Sequence, residues 1–257
     1  MLAIIYSLGS YLLFLGVYLY FAAFSDAVFV PKTVDSGGVL PTGWAVSIDL
    51  GLILLFGLQH SIMARSGFKQ SISRVIPPHV ERATFVLVSS GVLAFLMWQW
   101  RPLATPLWDV ESEQTAIVLW LVNALGWVGV PLSSLMIDHF DLFGIKQTFS
   151  HFRRASMKRT GFVTPLLYKY VRHPMMTSFF IAFWITPQMT VGHALLSLGM
   201  SLYVLVGVHF EERALVRELG LDYERYRATT PKFVPLGVFS APAVSARSEH
   251  DSTQEGV

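Results

Sequence analysis

Two polar stretches stand out against an apolar background in the last third of the chain: YKYVRHP at 168–174 and HFEER at 209–213. Arg172 and His173 can hold a carboxylate through charge-assisted hydrogen bonds. Glu211 and Glu212 can accept from an ammonium group or from ribose hydroxyls, and the rings of Tyr168 and Tyr170 favour a nearby cation. S-adenosyl-L-methionine carries all of these groups: a carboxylate, an ammonium, a ribose and a sulfonium. Singly, each residue has a plainer reading. Arg172 and Lys169 serve as interfacial anchors, the tyrosines as an aromatic belt, and Glu211 to Arg213 as a solvated helix end or an internal ion pair. It is the pairing of the two stretches that points to a ligand, and the pairing requires that they meet.

The elements that would bring them together are membrane helices. The 257 residues are 53% hydrophobic and 14% charged, with a mean hydropathy of +0.51, outside the range of a soluble domain. Four stretches are long enough to cross about 30 Å of hydrocarbon: Leu2 to Phe24, Trp44 to Met63, Ala83 to Trp100 and Thr115 to Ile137. The first has neither a basic leader nor a small-residue cleavage site, so it reads as a retained helix. A fifth apolar region, Met175 to His209, is too long for one ordinary span and contains Pro187 within TPQMTVG. Proline removes a helix donor and crowds the preceding turn, so a helical hairpin is expected there, short before Pro187 and long after it. The expected fold is therefore all-α: a polytopic membrane bundle of four spans plus a C-terminal hairpin, with a further helix around Tyr223 and Tyr226. Residues 1–240 form one domain, and the small, polar residues of 241–257 form a disordered tail.

Lysine and arginine alternate between the loops. Lys32 stands alone in the first and Arg101 in the third; Arg65, Lys69, Arg74 and Arg82 fill the second, and seven basic residues from Lys146 to Arg172 fill the fourth. Under the positive-inside rule the second and fourth loops and both termini face the cytoplasm. A reversal at Pro187 then places VRHP and HFEER at one face. A net charge of +2, with the basic residues confined to loops, excludes nucleic acid as a partner. The absence of cysteine excludes disulfides, thiolate metal sites and thiol nucleophiles.

The run from YKYVRHPMMTSFF to LVGVHFEERALVRELGLDYERYRATTPKFVP resembles the membrane methyltransferases related to isoprenylcysteine carboxyl methyltransferase. LQHSIMAR at 58–65, ERATFVL at 81–87 and DHFDLFGIKQ at 138–147 narrow the resemblance to the methanethiol S-methyltransferases, over nearly the whole chain apart from the tail. His209 departs from that pattern, which has a basic or apolar residue there. The resemblance implies an integral protein of the bacterial inner membrane and S-adenosyl-L-methionine as methyl donor, with S-adenosyl-L-homocysteine as product. It further implies methanethiol as acceptor and dimethyl sulfide as the methylated product. It places Tyr168, Tyr170, Arg172, His173 and Pro174 around the donor's methionine moiety, Glu211 and Glu212 as the acidic pair, and Tyr223 and Tyr226 on a helix that covers the donor.

An alkyl thiol is largely protonated near neutral pH, its pKa lying at or above the roughly 8.5 of cysteine. Such a reaction therefore calls for a proton acceptor or a polarising hydrogen bond. His60, at the basic end of the second span, is the leading candidate, since an ionisable group inside an apolar helix is a functional feature by default; the plainer reading is a helix cap. His139, beside Asp138 and Asp141, is the second, and it can also serve only to fold its loop. Asp49 lies about three turns from His60 and belongs to a seam near the opposite face. Other readings are a relative acting on an isoprenylcysteine carboxylate or a lipid amine, a haem-linked protein using the histidines, and a transporter lined by the buried polar groups.

Overall fold

A computed structural model describes residues 1–154 and 163–235; the tail expected at 241–257 lies outside the described residues. The chain runs α1 (Leu2–Ser25), α2 (Thr42–Ala64), α3 (Ser66–Ile72), α4 (Pro78–Gln99), β1 (Pro106–Asp109), α5 (Glu113–Ile137), α6 (His139–Leu142), α7 (Ile145–Phe152), α8 (Pro174–Trp184), β2 (Gln188–Thr190), α9 (Val191–Leu219) and α10 (Leu221–Thr229). Five of these helices, α1, α2, α4, α5 and α9, are long and apolar enough to cross a membrane. The protein is a polytopic helical membrane protein. The break expected at Pro187 is present: α8 stops at Trp184 and α9 starts at Val191. Between them lies a strand that the sequence pattern did not suggest, β2, paired antiparallel with β1.

Neighbouring helices follow the order α5, α8, α9, α2, α4, α1 around the bundle. Aromatic side chains close the gap between α1 and α5, with Trp127 edge-on to Tyr18 and Phe21. One hydrogen bond in that closure follows directly from the sequence. Pro131 lies inside α5 and has no N–H to give the carbonyl four residues back. That carbonyl belongs to Trp127, and the Tyr18 hydroxyl donates to it at 2.5 Å.

Lipid tails are as apolar as leucine, so helices in a membrane associate through close packing and hydrogen bonds. The α5/α8 crossing shows both. A Cβ added at Gly126 would sit 2.6 Å from the Ala182 backbone nitrogen, and one at Gly129 would sit 2.5 Å from Ser178 Oγ, so hydrogen alone fits at either position. The 11 residues of α8 rise only about 16 Å, roughly half the hydrocarbon thickness. Its C-terminal carbonyls, which lack partners in the helix itself, are met from both sides: Asn123 Nδ2 donates to Ala182 O and Ser197 Oγ to Phe183 O, each at 2.9 Å.

The apolar core occupies one half of the bundle. Phe21, Phe24, Leu96, Trp100, Phe183 and Leu196 are buried in one cluster, all toward the end that carries β1 and β2. The cluster stops at about the level of Phe56 and Met200. Beyond it, toward the basic end, tyrosine, histidine, serine and glutamate side chains reach between helices, among smaller buried apolar groups such as Val86, Val204 and Val208.

Candidate active site

The two polar stretches meet. Arg172 and His173 lead into α8, whose first residue is Pro174, well suited to a first turn where no N–H is needed. Glu211 and Glu212 lie on α9, about two turns before its end at Leu219. Arg172 Nε and Nη2 approach Glu212 Oε1 at 2.9 and 2.8 Å, and His173 Nε2 lies 3.2 Å from the same oxygen. Lys232 Nζ is 3.1 Å from Glu212 Oε2. Three cationic or potentially cationic side chains thus converge on one buried carboxylate, and Arg213, the neighbour in sequence, takes no part.

Arg172 is a clamp as well as a charge. Its Nη1 donates to the carbonyls of Arg227 and Thr230 at 2.9 and 2.5 Å. Backbone bonds from Arg172 and His173 to Pro231 and Lys232, and from Thr177 Oγ1 to Phe233 O, fasten the C-terminal segment along the start of α8. In α10, Tyr223 and Tyr226 stand edge to face, burial pushes both phenols up to about 12, and Tyr226 Oη donates to Tyr168 O at 2.5 Å. The helix around these tyrosines therefore does lie over the VRHP stretch.

With Glu212 neutralised, the groups left for a ligand are different ones. Glu211 is half exposed, with its Oε2 3.8 Å from His173 Nδ1. His173 is itself buried, which lowers its pKa against the opposing pull of Glu212, so it is neutral at neutral pH. Tyr170 is 53% exposed, and burial raises the Tyr168 phenol, helped by the nearby Glu211 charge.

His60 and His139 occupy two further clusters. His60 packs against Phe56, Phe85 and Tyr203, and its Nδ1 lies 2.5 Å from Tyr203 Oη; its Nε2 has no hydrogen-bond partner among the described residues. Around α9, at about 100° per residue, Tyr203 and Glu211 are separated by about 80° and by about 12 Å of rise. His139, by contrast, has both ring nitrogens engaged: Nε2 with Tyr11 Oη at 2.7 Å and Nδ1 with Ser134 Oγ at 2.6 Å. It joins α1, α5 and α6. Its neighbours Asp138 and Asp141 are turned to other work, Asp138 pairing with Lys146 and Asp141 with Arg82. Asp49 is far from all of these, accepting the backbone N–H of Arg101 at 2.9 Å near the strand end.

Tyr203, Tyr11, Ser134 and Lys232 are members of these clusters that sequence reasoning missed. Tyr203 carries no local signal, because one tyrosine in an apolar helix is ordinary. Lys232 lies in a segment without periodicity.

Against known proteins, the chain is 44% identical over 234 residues to methanethiol S-methyltransferase of Mycobacterium tuberculosis, an overlap of 91% of this chain and 96% of that relative. The chain belongs to the methanethiol S-methyltransferase family. Members from Bradyrhizobium diazoefficiens and Crocosphaera subtropica are 44% and 39% identical over 235 and 233 residues, covering 90% and 91% of this chain and 89% and 91% of theirs. Nurim of Sus scrofa is more distant, at 27% identity over 185 residues, 66% of each chain. No family model matches the chain, and no solved structure matches it.

Proposed function

We propose that the protein methylates methanethiol to dimethyl sulfide with S-adenosyl-L-methionine, at the basic end of the bundle. The observation that carries this reading is the joining of Arg172–His173 to Glu211–Glu212 where the apolar core gives way to polar side chains. The residues fit such a donor: Glu211 offers an accessible carboxylate to an ammonium or ribose hydroxyl, and His173 presents Nδ1 beside it. Tyr168 and Tyr170 offer aromatic faces to a positive centre. Pro174 fixes the start of α8, and the Arg172–Glu212 clamp holds both helix ends and the α10 cover in register. When bound, the donor supplies an electrophilic methyl group, transferred in line to the acceptor sulfur.

His60 is the proton acceptor in this reading, through its open Nε2. His139, with both nitrogens taken up, acts as a positioning residue that fixes α1 against α5 and α6. The aromatic walls around His60 exclude water, which favours a step in which an anionic nucleophile and a cationic donor neutralise each other. In this reading the protein lies in a bacterial inner membrane, and the positive-inside pattern supports a cytoplasmic position for this end.

Purified protein supplied with methanethiol and methyl-labelled donor should release labelled dimethyl sulfide into the headspace. His173→Ala should lose donor binding, and His60→Ala should keep donor binding while losing turnover. Absence of labelled product from well-folded protein would overturn the reading. Because the chain has no cysteine, single cysteines at Lys69 and Glu111 test the orientation: a membrane-impermeant reagent applied to intact cells should label only the second.

A further inference from the structure

We propose that the basic end of the bundle binds the headgroup phosphate of an anionic phospholipid, in the cavity between α1, α4 and α7 where His79 and His151 stack. The two imidazoles lie face to face, their centroids 3.8 Å apart and their planes within 2° of parallel. They line a cavity of about 290 Å³ together with Met1, Ile4, Thr148 and Phe152, near the lower limit of the ~300–1,000 Å³ usual for small-molecule sites. The cavity shares no residue with the Arg172–Glu212 cluster, and the inference stands apart from the methyl-transfer reading.

The chemistry of the walls selects an anion. Neither imidazole has a hydrogen-bond partner among the described residues, so the pair brings four uncommitted ring nitrogens to the cavity. Two imidazolium charges this close repel each other. An anion set against both offsets that repulsion and accepts their N–H groups in charge-assisted bonds. No carboxylate lines the cavity: Glu81 of α4 pairs with Lys69, and Asp141 with Arg82. Arg153, which ends α7, has no ion pair among the described residues and adds positive charge two positions from His151. His79 also stands in the first turn of α4, whose N-terminus is partly positive and lacks a side-chain cap. The floor of the cavity is fixed by contacts among all three helices: Thr148 Oγ1 lies 2.6 Å from Ser7 Oγ and donates to His79 O at 2.9 Å.

The surroundings select a lipid over a free anion. Along α7, Ile145 and Thr148 are buried while Phe149 and Phe152 are 37% and 59% exposed, so the helix turns one apolar side inward and another outward. A helix of this kind at the end of a bundle lies in the membrane interface. Phe152 is both a wall of the cavity and an exposed ring, and on α1 the exposed Leu2 and Ile5 flank Ala3 and Ile4, which also line it. A phosphate held by the imidazoles therefore has apolar surface beside it for a glycerol backbone and the first methylenes, surface that inorganic phosphate leaves unused. Basic pockets between membrane helices hold anionic headgroups on the same principle.

The test titrates the full chain in detergent with phosphatidylglycerol, phosphatidylcholine or inorganic phosphate, counting bound lipid by native mass spectrometry and reading phosphate by calorimetry. Phosphatidylglycerol should bind roughly tenfold tighter than phosphatidylcholine, whose choline neutralises the phosphate, and tighter than inorganic phosphate. His79→Phe and His151→Phe keep a stacked ring and remove its donors. Each should weaken phosphatidylglycerol binding roughly tenfold, the worth of one hydrogen bond to a charged group, with unfolding midpoints near wild type. His151→Glu, at an exposed position, should abolish binding and provides the answer if the phenylalanine variants do not fold. Lys169→Ala, outside the cavity, should change binding by no more than about twofold. Equal affinity for the two lipids, or wild-type affinity in His151→Glu, would overturn the proposal. So would a loss in Lys169→Ala as large as in the histidine variants, which would mark diffuse surface attraction, or inorganic phosphate binding as tightly as phosphatidylglycerol, which would mark a site that does not select lipid.

Discussion

Substituting Arg172 by lysine keeps the positive charge and removes the fork, and the geometry says what that does. Four contacts are at stake: two to Glu212 Oε1 at 2.9 and 2.8 Å, and two from Nη1 to the carbonyls of Arg227 and Thr230. A lysine ammonium is a compact point charge and cannot span a carboxylate and two backbone oxygens at once. If it stays with the carboxylate, two carbonyls lose their donor at about 1–3 kcal/mol each. Allowing for relaxation, a loss near 3 kcal/mol follows, or roughly 6–12 °C in the unfolding midpoint on the scale of a chain this long. Glu212→Gln should reach ~3–5 kcal/mol, because it leaves the guanidinium, only 8% exposed, beside a neutral partner. Lys232→Ala, at a side chain 39% exposed, should stay within about 1 kcal/mol. Intrinsic tryptophan fluorescence on heating in detergent orders the three. An Arg172→Lys midpoint unchanged from wild type, or a Lys232→Ala shift as large as that of Glu212→Gln, would show that the clamp does not hold the basic end together.

Other outcomes follow from single contacts. Gly126→Ala drives a methyl into the backbone of α8 and should cost about 1–3 kcal/mol, whereas Gly9→Ala, with nothing within 4 Å, should be neutral or slightly stabilising; paired melting curves decide. Tyr18→Phe strands the carbonyl that Pro131 cannot serve and should cost about 1–3 kcal/mol, most simply read as a lower midpoint than that of a surface control. Burial raises Asp26 to about 7, against the hydrogen bonds from Trp127 and Asn123 that favour its charged form. The folded protein thus holds a proton that the unfolded chain releases. The associated stability is complete below the ordinary carboxylate value of 3.8 and is lost as pH rises through about 7. Wild-type midpoints should fall between about pH 5 and 8, and Asp26→Asn should flatten that slope.

Much of the frame was legible in the chain because the bilayer imposes one length scale and one composition on anything that crosses it. The four spans fell within a few residues of their observed bounds, and Pro187 marked the hairpin because proline acts locally. The convergence of VRHP with HFEER could be argued from topology alone, since a reversal fixes which ends share a face. The true partners of Glu212 could not: Lys232 reaches it from a segment without periodicity, and Arg213 was the obvious neighbour. The Tyr203–His60 contact joins two helices 143 positions apart, where only packing chooses the register. The β1–β2 pairing was invisible for a related reason, because three or four residues carry too little alternation to be distinguished from a loop.

A helix that ends halfway through the hydrocarbon is not an autonomous insertion unit. The carbonyls of Ala182 and Phe183 need Asn123 from upstream and Ser197 from downstream, and the stretch that follows needs β1 already waiting. Biogenesis therefore has a built-in order. The first half of the chain must be seated before this hairpin can settle, and the end where Arg172 meets Glu212 is the last part of the molecule to be completed.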